Sequence, residues 1–280
     1  MILFVFEGSN REPYVYKTIE RLYFPKKNDN IICSFGNNIY DLYSEMMMYG
    51  GDGDIVSIMR ERLSESGDST LHDIRSTDIS EVYLFFDYDF QNSQFSLEEI
   101  NQRVDVMLKM FDDETGNGKL YINYPMVESI RYTKELPDEE YRHYTVSRAK
   151  CHNFKRLARE FSFYDSFDHI LFKEGEKPTK DKYLKIEDNW KFLIEMNVRK
   201  ANLLVSELYA LPKSKSTISQ QAIFDGQQRL YATKNESIAV LNSFPIFVYD
   251  YFKRQSYPQV INTKKAEGAW FCTLCLCMVI

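Results

Sequence analysis

The chain is predicted to be an α/β protein: a four-stranded parallel, Rossmann-like sheet flanked by helices, followed by a mainly helical C-terminal domain. Three observations carry this. Apolar runs of strand length alternate with segments of helical periodicity through residues 1–125, in the order β-α-β-α-β-α-β that implies parallel strands and right-handed crossovers. Two of the runs end in carboxylates, Glu7-Gly8 after the first and Asp87-Tyr88-Asp89 after a later one, where an open α/β sheet keeps its ligand crevice. Past residue 135 the strand-like runs give way to helical patterns.

Residues 2–6 (Ile-Leu-Phe-Val-Phe) have the length and composition of a strand. Ser9 or Asn10 offers a helix cap and Pro13 suits a first turn, so 14–24 is predicted helical, with Val15, Ile19, Leu22 and Tyr23 at helical spacing. A second strand is expected at 31–35, then helices at 37–48 and 55–63 separated by Gly50-Gly51-Asp52-Gly53. A polar connection over 64–80 leads to the third strand at 82–86. Ser96 and Glu99 make a capping box opening a helix to Phe111, with Ile100, Val104, Met107, Leu108 and Phe111 on one face. A turn over 112–118 precedes the fourth strand at 119–124. Helices are expected at 144–161, 186–211, 217–233 and 237–254; the stripe Ile186, Trp190, Leu193, Ile194, Ala201, Leu204, Val205 and Leu208 reads as core. The expected division is a catalytic domain over 1–135 and a helical domain over 136–280.

Composition narrows the classes. A chain of 280 residues, 44% hydrophobic and 27% charged, has ample capacity for a packed core, and 20 Tyr with 20 Phe exclude disorder over most of it. No stretch approaches the ~20 apolar residues of a membrane helix. The N-terminus lacks a basic start, and Glu7 cuts its apolar run to five residues, so no signal peptide is expected. Five cysteines, scattered except at the end, do not form a disulfide framework, and the expected compartment is cytoplasmic. The net charge of −6 is uneven: residues 1–145 hold 14 Lys+Arg against 27 Asp+Glu, and 146–280 hold 21 against 14. An acidic half beside a basic half suits an enzyme acting on a polyanion; two differently solvated surfaces are the plainer account.

All strand C-terminal ends of a parallel sheet lie on one edge, so Glu7, Asp87, Asp89 and Glu128 are expected to converge. Asp87 and Asp89 point to the same side if the chain stays extended. Clustered carboxylates repel one another unless a cation sits among them, and hard ions such as Mg²⁺, or Mn²⁺, take such oxygens. One or two ions there clamp the attacking and leaving oxygens of a phosphodiester. The plainer reading makes Glu7 a helix-cap partner, Asp87 and Asp89 turn formers, and Glu12 a favourable charge at its helix start. Gly8 permits close backbone approach to a phosphate. Arg11, Lys17, Lys155 and Arg156 are candidate phosphate contacts, the last two on one predicted helix with Lys150 and Arg159; a solvated basic face is the alternative. The four histidines show no metal spacing. Cys272, Cys275 and Cys277 lie in an apolar tail with no nearby fourth ligand, so packing is favoured over zinc binding or the prenylation-box outline of the last four residues. No Gly-x-x-x-x-Gly-Lys-Ser/Thr loop is present, so any ATP use belongs to a partner.

Glu-Gly after the first strand and Asp-x-Asp after the third, in a four-strand parallel unit, resemble the TOPRIM domain of topoisomerases, bacterial primases and OLD-family nucleases. Residues 7–14 (Glu-Gly-Ser-Asn-Arg-Glu-Pro-Tyr) are similar to the opening of RloB-like and related small TOPRIM proteins of bacterial anti-phage systems. Asn123-Tyr124-Pro125-Met126-Val127-Glu128-Ser129 resembles their strand end followed by a hydrophobic-Glu pair. The resemblance covers about 1–135 plus a helical tail, and departs from the commoner turn in having Arg11 before Glu12. It implies a Mg²⁺-dependent endonuclease cutting DNA or RNA, tRNA included, with Glu7 as a ligand or acid/base group. It further implies a toxic effector of anti-phage defence, restrained by a partner and often beside an ABC-type ATPase, and a homo-oligomer is compatible with it. The chain is short for a topoisomerase and lacks a primase's zinc-ribbon spacing. Two rivals stand: a non-catalytic TOPRIM-fold regulatory subunit partnering an ATPase, and an Asp-x-Asp glycosyltransferase, whose chemistry does not require Glu7.

Overall fold

A computed structural model describes residues 1–24, 30–51 and 53–252. Strands β1 (Ile2–Phe6), β2 (Asn30–Ser34), β3 (Glu81–Asp87), β4 (Asp112–Asp113) and β5 (Gly118–Asn123) form one sheet in the order β2-β1-β3-β5-β4. The first four in that order are parallel, and β4 pairs antiparallel with β5. Helix α1 (Arg11–Tyr23) links β1 to β2, α2 (Ile39–Met48) and α3 (Ile55–Glu65) link β2 to β3, and α4 (Leu97–Met110) follows β3. Ser96 caps α4 in the expected box, its Oγ accepting from Glu99 N–H while the Glu99 carboxylate accepts from Ser96 N–H. Among the described residues this sheet gains one strand beyond the four expected, the two-residue β4, in the segment expected to be a plain turn.

The apolar strands have side chains buried on both faces, as parallel strands require. The register places Phe4, Phe6, Tyr83, Phe85 and Tyr121 on one face. Tyr16 of α1 packs on Phe4, with ring centroids 4.1 Å apart. The rest of that face is covered from the far end of the chain: α10 (Ser243–Tyr251) lays Phe244 on Phe85 at 4.5 Å and Phe247 on Tyr83 at 5.0 Å. The hydrophobic core is therefore continuous across residue 135.

The second half is mostly helical, with α5 (Arg148–Cys151), α6 (Phe154–Phe161), α7 (Lys180–Ser206), α8 (Gln220–Gln227), a π turn over Gln228–Ala232 and α9 (Thr233–Asn235) before α10. Two of the expected helices are corrected. Residues 144–161 open with strand β6 (Thr145–Ser147), and 237–254 open with β7 (Ser237–Ala239); the two pair antiparallel. Their partners are some ninety residues apart along the chain, a relation that local periodicity does not carry. A bridge from Tyr124 to Leu241 extends this pairing to the end of β5. Helix α7 begins earlier than expected, where Thr179 Oγ1 accepts from Lys182 N–H, and ends at Glu207, whose φ of 60° terminates it. Lys253, Arg254 and the cysteine tail lie outside the described residues. Among the described residues no helix is long and apolar enough to cross a membrane.

Candidate active site

The parallel order β2-β1-β3-β5 reverses direction between β1 and β3: the chain leaves β1 toward β2 on one side and β3 toward β5 on the other. A crevice opens outside the C-terminal ends of the strands at such a reversal. Glu7 follows β1 and Asp87 ends β3, so both flank that crevice.

Backbone pairing carries Glu7 one step beyond its strand: its N–H donates to Phe85 O at 3.0 Å, and its carbonyl accepts from Gly36 N–H at 2.9 Å. Its Oε2 accepts the backbone N–H of Asp87 at 2.9 Å. Asp87 is buried, and its Oδ1 accepts from Asn123 Nδ2 at 3.1 Å. Asn123 ends β5; its own Oδ1 accepts from the N–H (3.1 Å) and Oγ (2.8 Å) of Ser243 at the start of α10. The carboxylate of β3 is thus positioned through β5 by the last described helix.

Asp87 and Asp89 do not continue an extended chain. Tyr88 N–H turns to the carbonyls of Asn123 and Pro125, and Asp89 adopts a left-handed φ of 48°, a conformation Asp tolerates better than most residues. Asp89 Oδ1 accepts from Gln91 Nε2 at 2.8 Å. Arg148 holds the following loop, donating to the carbonyls of Phe90, Asn92 and Phe95.

Two further carboxylates complete the group. Glu12, in the first turn of α1, is buried, and its Oε2 lies 3.1 Å from where a Cβ on Gly8 would stand. Glu128 lies in a tight 3₁₀ turn over Val127–Arg131, is 9% exposed, and its Oε2 is buried with no hydrogen-bond partner among the described residues. Lys155 of α6 reaches Glu128 Oε1 at 3.7 Å.

The acids repel one another in a setting already hostile to charge. Burial, then Asp89, raises Glu7 to about 8, against a partial offset from the Asp87 N–H. Burial, followed by Glu7, Glu12, Glu128 and Asp89, holds Asp87 well above the ordinary carboxylate range. Asp89 is raised by burial, opposed by the Gln91 hydrogen bond and Lys155. Glu12 is raised by burial and by Glu128, opposed by the hydrogen bond from its own backbone N–H and by Lys155 and Arg11. Lys155 is the cation that recurs around Glu7, Glu12 and Asp89.

Every donor here is a hard oxygen, one of them buried and unpartnered, and such a set suits Mg²⁺ or Mn²⁺ by chemistry. As the side chains stand, no three His, Cys, Asp or Glu among the described residues are grouped to hold an ion. Ligation therefore requires the carboxylates to draw together.

Of the residues singled out in the sequence, Glu7, Asp87, Asp89, Glu128, Gly8 and Lys155 meet around this crevice. Arg11 lies beside Glu12 and lays its guanidinium on the Phe167 ring. Lys17 is exposed and pairs with Glu174 at 3.1 Å; Arg156 is exposed and approaches Glu160 at 3.9 Å. Asn123 and Glu12 matter more than their sequence positions indicated. A polar Asn closing an otherwise apolar, buried strand was the available signal for the first; an acid four residues after Gly8 was the signal for the second. Comparison of the chain with protein-family models, with curated proteins and with solved structures found no match.

Proposed function

We propose that this protein is a divalent-metal-dependent endonuclease hydrolysing phosphodiester bonds of DNA or RNA, with Glu7, Asp87, Asp89 and Glu128 as its acidic centre. The observation that carries the reading is the crowding of mutually repelling, part-buried carboxylates at the strand reversal of a parallel sheet, where burial and like charge outweigh Lys155 and the arginines beside them. An inert scaffold gains nothing from such a group, since buried like charges cost stability. A cation recovers that cost and, when bound, would polarise the phosphodiester and lower the pKa of a water.

The chain's own residues have separable tasks. Asn123 fixes the rotation of the Asp87 carboxylate, and the Asp87 N–H fixes Glu7. Glu7, raised to about 8, is able to hold or release a proton near neutral pH. Lys155, 74% exposed at its side chain, faces solvent beside Glu128 and is placed to meet an incoming phosphate. The order of motifs along the sheet fits the TOPRIM resemblance and, with it, an anti-phage effector working beside an ATPase in the cytoplasm.

A second reading is favoured by one observation, that the carboxylates are not grouped for an ion as they stand: a non-catalytic subunit that keeps the fold and regulates an ATPase. The two are separated by incubating purified protein with plasmid, single-stranded DNA and total tRNA, with Mg²⁺ or EDTA, beside Glu7→Ala and Asp87→Ala. Metal-dependent cleavage lost in both variants supports the nuclease and names its substrate. Folded wild-type protein that cuts none of them, alone or with a candidate ATPase, sinks it.

A further inference from the structure

Beside the carboxylates lies a second group of charges that the hydrolytic centre does not use. Arg11, the first residue of α1, and Arg131, which ends the turn carrying Glu128, both set their guanidinium against Phe167, at 4.1 and 4.6 Å from the ring centroid. Arg131 is only 5% exposed. Its Nη2 donates to Tyr164 O at 2.8 Å, but its Nε is buried without a partner among the described residues, and so is the Nε of Arg11. Burial, Arg11 and Arg159 all depress the Arg131 guanidinium, with Glu128 and Asp165 acting against them.

This is an expensive arrangement for packing alone. Like-charged guanidiniums share one ring, and buried N–H donors are left unmade, each costing the full desolvation of the group. A phosphate relieves both at once, since it brings negative charge and several acceptor oxygens to the planar fork of an arginine. Glu128 acts on Arg131 and is also paired with Lys155, so this group adjoins the acidic centre.

We propose that Arg11 and Arg131, backed by Phe167 and with Arg159 at the rim, form a phosphate-binding subsite beside the carboxylates. It holds a second phosphate of the substrate, one next to the phosphodiester being cut, a role that rests on the nuclease reading of the carboxylate site. The preferred substrate is then a polynucleotide segment with consecutive phosphates. Stacking on Phe167 pre-orders the guanidiniums and lowers the entropy lost on binding.

The test is isothermal titration of the full chain with inorganic phosphate in the absence of divalent ions, comparing wild type with Arg11→Gln, Arg131→Gln and the distant, exposed Arg75→Gln. Phosphate affinity should fall about tenfold in each of the first two and stay unchanged in the third. Loss of buried Arg131 also threatens the fold, so the half-buried Arg11 is the deciding variant, with circular dichroism to confirm that it is folded. Wild-type protein that binds no phosphate, or folded Arg11→Gln that binds it as well as wild type, overturns the subsite. Phosphate binding by a protein that cleaves no nucleic acid leaves the subsite standing and removes the nuclease reading instead. Cleavage without phosphate binding does the reverse.

Discussion

The Glu7 carboxylate accepts the backbone N–H of Asp87 at 2.9 Å, so the side chain following β1 is fastened to the last residue of β3. Eighty residues of sequence separate the two. The bond joins the strands on either side of the sheet's reversal and fixes one oxygen of the acid that flanks the crevice.

Glu7→Gln keeps an acceptor for that N–H and removes the charge. It should retain the fold yet lower nucleic-acid cleavage about a hundredfold or more, the scale of losing a charged group that stabilises the transition state. Single-turnover cleavage rates, with thermal melts as a control on folding, measure it. Near-normal rates in a folded Glu7→Gln would place the chemistry elsewhere.

Stability of the metal-free protein should fall as pH rises. Unfolded Glu7 loses its proton near 4.5, whereas the folded group keeps it until about 8. Between those values the native state binds the extra proton, so the derivative of unfolding free energy with pH is negative, at most about 1.4 kcal/mol per unit for one group. Asp87, Asp89 and Glu12 are raised in the same direction. Urea denaturation in EDTA from pH 5 to 8 should show the decline, and Glu7→Gln should make it shallower.

Binding of Mg²⁺ at neutral pH should release protons, because the acids that would ligate it are held up by burial and mutual repulsion. Calorimetric titration in buffers of different ionisation enthalpy gives the number released. Binding with no buffer dependence at pH 7 would show that the ion goes to carboxylates already ionised.

Asn123 is fully buried and serves both Asp87 and Ser243. Asn123→Ala leaves a buried carboxyl oxygen and two donors unmatched and should cost about 2–4 kcal/mol of stability. Chemical denaturation supplies the number. Cleavage should fall even under conditions where the variant remains folded, since Asp87 loses the contact that orients it.

Phe244 seals the aromatic face of the sheet against Phe85 and Phe6. Phe244→Ala should cost about 3–5 kcal/mol, the usual range for emptying a core aromatic site. A fragment ending at residue 135 bares the same face and should not yield a folded, soluble protein; expression and solution NMR of that fragment decide it.

The sheet and its helices were legible over residues 1–125 because each element there announces itself locally. Ile2–Phe6, Glu81–Asp87 and Gly118–Asn123 are short apolar runs, and the Ser96–Glu99 box marks a helix start within four residues. The strand-end placement of Glu7 and Asp87 was legible for the same reason, since each stands at the end of a short buried run. The β6–β7 pair was read as helix because its two short strands recognise each other only in three dimensions. The bend at Asp89 was hidden too: it follows from Tyr88 N–H turning to Asn123 and Pro125 rather than from any turn signal nearby.

By itself the sequence determined that an acidic, parallel-stranded α/β unit precedes a helical, basic half, and that Glu7, Asp87 and Asp89 stand at strand ends. Those properties are written in composition, period and spacing, which act over a few residues. Only the tertiary structure decided that α10 closes the sheet's aromatic face, that Asn123 and Ser243 orient Asp87, and that Arg11 and Arg131 share Phe167. Each of these joins residues tens to more than a hundred positions apart, and their pairing is set by burial, hydrogen-bond satisfaction and charge balance in the folded interior, none of which has a period along the chain.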